Sequence, residues 1–126
     1  MSAKGYVLKE ADLLPLYLAS IEKLRQVPAA TLVLPSHGKP FTGLHERIGQ
    51  LQQHHDDRFA EALAACASAP QSAADLLPVL FRRPLDLHQT TFAMGEAIAH
   101  LHALASAGRL RPATPTADGV MRYVTV

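Results

Sequence analysis

A chain of 126 residues with 12 Lys and Arg against 11 Asp and Glu has room for one modest domain and, at net charge +1, no field to steer a polyanion. Its 48% hydrophobic and 18% charged residues argue against disorder, and its single cysteine excludes an intramolecular disulfide and any Cys-based zinc cluster. No apolar run nears the ~20 residues of a membrane span, and Met1 to Tyr6 carry no apolar leader, so the expectation is a soluble cytoplasmic chain with no membrane partner.

The first periodic segment is 8–25, where Leu14, Tyr17, Leu18, Ile21 and Leu24 fall on one helical face. Asp12 suits its N-cap, Pro15 is tolerable in a first turn, and Pro28 ends it. The apolar run 31–34 (TLVL) between Pro28 and Pro35 predicts a short strand buried on both faces. No other segment before residue 110 reads as its partner. An unpaired strand is a liability, so it is expected to be disordered, paired across a dimer, or laid against the next helix. Residues 35–43 (PSHGKPFTG), with two Pro and two Gly, read as loop.

From Leu44 a long helix is predicted to about Ala69, carrying the stripe Leu44, Ile48, Leu51, His55, Phe59, Ala62 and Cys66. Ser72 is expected to cap a helix from Ala73 to about Phe81, with Leu76, Leu77 and Leu80 inward. After the connector Arg82-Arg83-Pro84, Thr90 or Thr91 should open a helix to about Ala107. Its expected inner face is Met94, Ile98, Leu101 and Ala105, and Gly108 should stop it. Leu110 to Ala113 and Val120 to Val126 read as a hairpin turning at Asp118-Gly119. The fold class is thus mainly α with a small β-hairpin (α+β). A winged-helix-like C-terminal unit follows a long helix and an orphan strand-loop segment, and the two parts divide as 1–43 and 44–126.

Seven histidines invite a search for a metal. His37 lies two residues after an apolar run in a Gly-flanked loop, a position from which an imidazole can project into a cleft. His100 and His102 point about 200° apart around a helix, and His54 and His55 about 100°, so neither pair can share an ion. Neither His54 nor His55 has a second histidine four residues on, as the helical zinc motif requires. His55 reads as a core histidine and His54 as a partly exposed one. His45 and His88 have no ligand-spaced companions. Ser36 is not in a nucleophile elbow, no phosphate-binding glycine loop occurs, and Cys66 lies on an apolar stripe as an inert thiol. A winged helix raises nucleic acid as a partner, but 92–107 (FAMGEAIAHLHALASA) lacks the Lys, Arg, Asn and Gln that read base edges. Arg82, Arg83, Arg109, Arg111 and Arg122 amount to a modest basic wing. Packing against protein suits the helix better.

Taken in order, these segments resemble a known family. TLVLPSHGKPF is similar to the last strand and ligand loop of metallo-β-lactamase-fold hydrolases. Helix 12–25 resembles the Asp-Tyr-Ser-hydrophobic-Leu helix that precedes that strand in the branch of lactamase-like endoribonucleases and glyoxalase II, through Asp12, Tyr17, Ser20, Ile21 and Leu24. His55 and Arg58 match a His-x-x-Arg element on the following long helix, and SAADLLPVLF, AMGEAIAHLHALASAGRL and DGVMRYV resemble the winged-helix appendage. The resemblance implies that His37 is the last histidine ligand, with Ser36 where Gly is common. The H-x-H-x-D-H motif, a further His and a bridging Asp are absent from the chain.

The implied protein is therefore the C-terminal fragment of a zinc-dependent hydrolase acting on a small-molecule substrate. Zinc is expected in the parent and not in this chain alone, which should be inactive. Its expected partners are a second copy or the missing N-terminal β-sandwich. The alternative is an independent winged-helix interaction module binding a protein or, less favoured, nucleic acid.

Overall fold

A computed structural model of the chain describes residues 12–126; the predicted start of the first helix at residues 8–11 lies outside them. Among the described residues, four α-helices and a two-stranded antiparallel sheet follow in the order α1 (Leu13–Lys23), a 3-10 turn (Leu24–Gln26), α2 (Leu44–Ser68), α3 (Ala73–Leu80), α4 (Leu87–Ser106), β1 (Leu110–Pro112) and β2 (Tyr123–Thr125). The expected class, mainly α with a small hairpin, is what forms.

The predicted stripe organises α2. Ile48, His55, Ala62 and Cys66 are buried along it, with Leu44, Leu51 and Phe59 half-buried between them. Its C-terminal half joins Leu76, Leu80, Ala97, Leu101, Leu104 and Leu110 in one core. Each fully buried leucine there contributes about 1.5–3 kcal/mol of transfer free energy. Its N-terminal half holds α1 and the turn after it. Gln52 accepts from Arg25 Nη2 at 2.7 Å and donates to Glu22, while His45 Nε2–H donates to the Val27 carbonyl at 2.7 Å.

Four local expectations change. Residues 31–34 do not form a strand. Val33 makes a single antiparallel bridge to Phe41, through Val33 N–H to the Phe41 carbonyl at 2.7 Å and the reverse bond at 3.0 Å. The partner absent from the strand reading is thus a loop residue eight positions on, too isolated to carry a strand pattern. Leu32 and Leu34 remain 59% and 74% exposed, so the expected burial on both faces is not met within this chain.

Helix α4 begins at Leu87, three or four residues earlier than expected. Asp86, not Thr90 or Thr91, is the N-cap, in a reciprocal box with Gln89: the Asp86 carboxylate accepts from Gln89 N–H at 2.7 Å, and Gln89 Oε1 accepts from Asp86 N–H at 3.1 Å. Asp-x-x-Gln is a capping-box spacing, and the threonines instead bond back to the carbonyls of Asp86 and Leu87.

The inner face of α4 is Ala93, Ala97, His100, Leu101 and Leu104, with Ala103 also buried; Ile98 is 53% exposed. Ala97, Leu101 and Leu104 face the core shared with α2 and α3, which leaves Ile98 on the outer side and His100 inside. Finally, the hairpin strands are shorter than predicted. They pair in the register Leu110↔Thr125, Arg111↔Val124 and Pro112↔Tyr123, and Tyr123 also bridges Gln71 on its other edge. A side-chain clamp between Arg122 and Asp118 takes up the residues expected to extend them. Ser72 caps α3 as expected, in a box with Asp75, and Gly108 (φ +75°) ends α4 in the left-handed conformation that glycine tolerates best.

The cap assignment is testable by urea denaturation. Asp86→Ala should cost about 1 kcal/mol, and Thr90→Ala should leave stability within about 0.5 kcal/mol of the wild type. The reverse order would return the helix start to Thr90.

Candidate functional site

His37 sits in the loop that the Val33–Phe41 bridge pinches off, and it is exposed. The next residue, Gly38, has φ +100°, a backbone state that side chains other than glycine rarely adopt. A built Cβ there meets nothing within 4 Å, so backbone conformation and not crowding requires the glycine. The loop is therefore held at its base by two backbone bonds and turned at its tip, with His37 exposed on it.

No donors converge on it. Among the described residues, no group of three or more His, Cys, Asp or Glu is placed to hold a metal ion. The residues present do not by themselves fit the metal centre that the resemblance implies.

The other histidines are engaged elsewhere, and His54, expected to point away from His55, packs edge-on against it with ring centroids 5.1 Å apart. His45 is engaged with Val27, and His88 packs edge-on to Phe92 at the exposed start of α4. His102 faces Asp12, whose Oδ1 lies 4.0 Å from Nδ1. Asp12 occupies the predicted N-cap position of α1, but its side chain makes no capping bond.

His55 and His100 meet, which helical spacing within either element could not reveal. Their rings stack with centroids 5.1 Å apart and an interplanar angle of 26°, and His55 Nδ1 lies 3.0 Å from His100 Nε2. His100 Nδ1 is 2.7 Å from the Glu96 carbonyl. A carbonyl can only accept, so His100 carries its proton on Nδ1 and presents Nε2 as a lone pair. His55 Nδ1–H must then donate to it. Phe59 and Tyr17 close the cluster, with ring centroids 4.9 Å from His100 and 6.0 Å from His55.

Burial, first, holds both imidazoles below the ordinary histidine pKa. For His55 the charges of His100 and His54 add to that lowering, against the carboxylates of Glu96 and Asp56. For His100 the Glu96 carbonyl bond and carboxylate oppose it, while His54 and Arg58 reinforce it.

The turn between β1 and β2 is an electrostatic clamp. Arg122 donates from Nη2 to Asp118 Oδ2 at 2.8 Å and from Nη1 to Asp118 Oδ1 at 3.1 Å. Arg122, then the Thr116 hydroxyl and the Val120 N–H, hold the Asp118 carboxyl far below the usual carboxylate range. Arg122 therefore serves the turn and is not available to the modest basic wing. Cys66 is buried and burial pushes its thiol pKa up, as its place on the apolar stripe predicts.

A shallow apolar groove of about 440 Å³ runs between α1, α2 and α4, lined by Leu18, Phe59, Leu63, Leu104 and others, with Asp56 and Arg109 among its charged residues. It does not include His37.

The architecture defines a mainly helical unit closed by an antiparallel hairpin, with a histidine-bearing loop on its N-terminal side. Residues 59–126 match the family described as metallo-beta-lactamase-like, C-terminal domain, and the chain belongs to that family. A solved beta-lactamase domain protein from Burkholderia ambifaria is 52% identical, with a TM-score of 0.85 over 90% of this chain and 33% of that one. A metallo-beta-lactamase family protein from Thermus thermophilus is 28% identical, with a TM-score of 0.68 over 87% of this chain and 32% of that one. No curated relative matches the chain. The chain thus spans about a third of the solved structures it matches, and the family resemblance read from the sequence holds.

If His37 has no structural role, His37→Ala should change the stability of the chain by less than about 0.5 kcal/mol, as expected for an exposed substitution. A loss above about 1 kcal/mol in urea denaturation would make it a structural residue of the loop.

Proposed function

We propose that this chain is the C-terminal portion of a zinc-dependent metallo-β-lactamase-fold hydrolase and that His37 supplies one metal ligand there. The observation that carries this reading is His37 itself, exposed on a pinned and glycine-turned loop, in a chain that covers a third of its solved metallo-beta-lactamase family relatives. Bound zinc in such a centre would lower the pKa of a water to make the hydrolytic nucleophile. His37 would contribute one nitrogen and orient nothing else, since no second donor accompanies it among the described residues. A structural zinc needs about four ligands and a catalytic one about three. The chain alone is accordingly read as catalytically incompetent, with the substrate, a small molecule, contacted by residues outside it.

The division proposed is a ligand-loop segment, 1–43, and a long helix with a winged-helix-like unit, 44–126. The natural partner of the first segment is the N-terminal β-sandwich of the parent. Leu32 and Leu34 beside the loop, and Leu13, Leu16 and Leu24 on α1 and the turn after it, are exposed apolar side chains that such a sheet would cover. A second copy of the chain is the other occupant proposed for them. No helix among the described residues is long and apolar enough to cross a membrane, and a single reduced cysteine suits a cytoplasmic setting.

Zinc analysis of the purified chain tests this reading. Dialysed chain should retain less than stoichiometric zinc and show no hydrolase activity. Stoichiometric zinc lost on His37→Ala would show that the chain assembles a site by itself and would overturn the fragment reading. An in-frame H-x-H-x-D-H upstream of Met1 would support it.

One observation favours a second reading, an interaction module. Phe92 and Ile98 of α4 and Met121 of the turn are 67%, 53% and 59% exposed, an apolar surface suited to protein and not to phosphate. If nucleic acid were the partner, duplex binding would weaken steeply with added salt. Absence of binding at low salt would leave protein as the partner class.

A further inference from the structure

We propose that the His55–His100 hydrogen bond is a proton-sensitive latch between the half of the chain that carries His37 and the C-terminal helical unit. Position is the first support. His55 lies on α2 at the junction of its two halves: residues before it hold Arg25 and Val27 of the loop side, through Gln52 and His45, and residues after it, from Phe59, enter the C-terminal core. His100 is on α4, entirely within the C-terminal unit, and is 1% exposed. The bond is thus a buried polar tie at that junction, where Asp12 of the α1 N-terminus also lies 4.0 Å from His102 of α4.

The second support is how the proton positions are ordered. With the Glu96 carbonyl holding the proton on His100 Nδ1, the bridge needs His55 Nδ1–H facing a bare His100 Nε2. A first added proton can occupy His55 Nε2 and leave the bridge intact, at the cost of a buried cation. A second must occupy His100 Nε2, where two N–H groups would face each other across 3.0 Å. The pair therefore accepts one proton with strain and a second only by breaking the bond that ties α2 to α4.

The charged and titratable surroundings do not relieve this. On α2 they are His54, Asp56 and Arg58, and on α4 Glu96; from α1 only the Tyr17 ring approaches His55 among the described residues. Asp56 and Glu96 partly offset the cost, but the lowering by burial remains the largest contribution for both rings.

The sign follows from linkage. In the unfolded chain both histidines titrate near the ordinary value of about 6.5, and in the folded chain lower. The unfolded state then binds more protons below about pH 6.5, so the latch's contribution is fully present above that pH and lost as pH falls toward the folded values.

Proton NMR of the histidine rings in the 126-residue chain tests the pairing directly. His55 and His100 should titrate as a coupled pair, with both apparent pKa values below the ordinary histidine value. Either ring titrating at the ordinary value would overturn the proposal. A double variant, His55→Leu with His100→Leu, should remove most of the fall in urea midpoint that the wild type shows between about pH 7 and pH 5; an unchanged fall would also overturn it. Amide exchange, corrected for intrinsic rates, separates a latch from general acid unfolding. Protection in residues 44–54 should fall roughly tenfold or more over that range while α3 holds. Equal loss in both would mean that the pair is a core contact and not a latch.

Discussion

The molecule depends on one helix serving two cores. At 25 residues, α2 is about 37 Å long, and no other element among the described residues reaches from the His37 loop to the hairpin. Helix α1 lies along the middle of α2, from His55 to Leu63, and α3, α4 and β2 pack on its C-terminal half. The C-terminal end is the better packed: Ala62 and Cys66 are essentially inaccessible, and Thr125 of β2 donates to the Leu63 carbonyl at 2.7 Å. At the N-terminal end Ile48 is buried, but much of the holding is polar, through Arg25, Gln52, Glu22 and His45 on the protein surface. Hydrogen bonds at an exposed surface contribute less than apolar burial of the same extent.

That asymmetry connects the fold to the family assignment. The family match begins at Phe59, where α2 enters the well-packed core, and the residues before it expose leucines on α1 and beside the loop. Apolar side chains exposed together in this way form a surface suited to contact with other structure. In the fragment reading the two ends of α2 belong to different cores of one protein, and this chain contains one of those cores in full.

His55 of α2 and His100 of α4 are both buried where the two helices meet, with ring centroids 5.1 Å apart. Hydrogen bonding then satisfies the ring nitrogens that burial removes from water. The result is a core residue pair whose packing is apolar but whose energetics depend on protonation.

Much of this is legible in the chain itself. The α2 stripe, the Ser72 cap, the glycine stop at Gly108 and the Cys66 burial follow from local periodicity and capping chemistry, which act over a few residues and need no partner. The Asp86-x-x-Gln89 box is equally local, but the two threonines just after it carry the same capping chemistry and compete for the assignment. His37 stands out by its place after an apolar run, and its match to a ligand loop comes from resemblance; neither spacing nor composition can supply companion ligands. What only the tertiary structure decided are the relations between elements. The face that α4 buries is the one that α3 and α2 cover, and it leaves out the bulky Ile98. The bridge of Val33 to Phe41, the bridge of Gln71 to Tyr123, and the meeting of His55 with His100 across 45 residues all join positions that are strangers in sequence. Periodicity reports which side of an element avoids water; it carries no information about which other element arrives there.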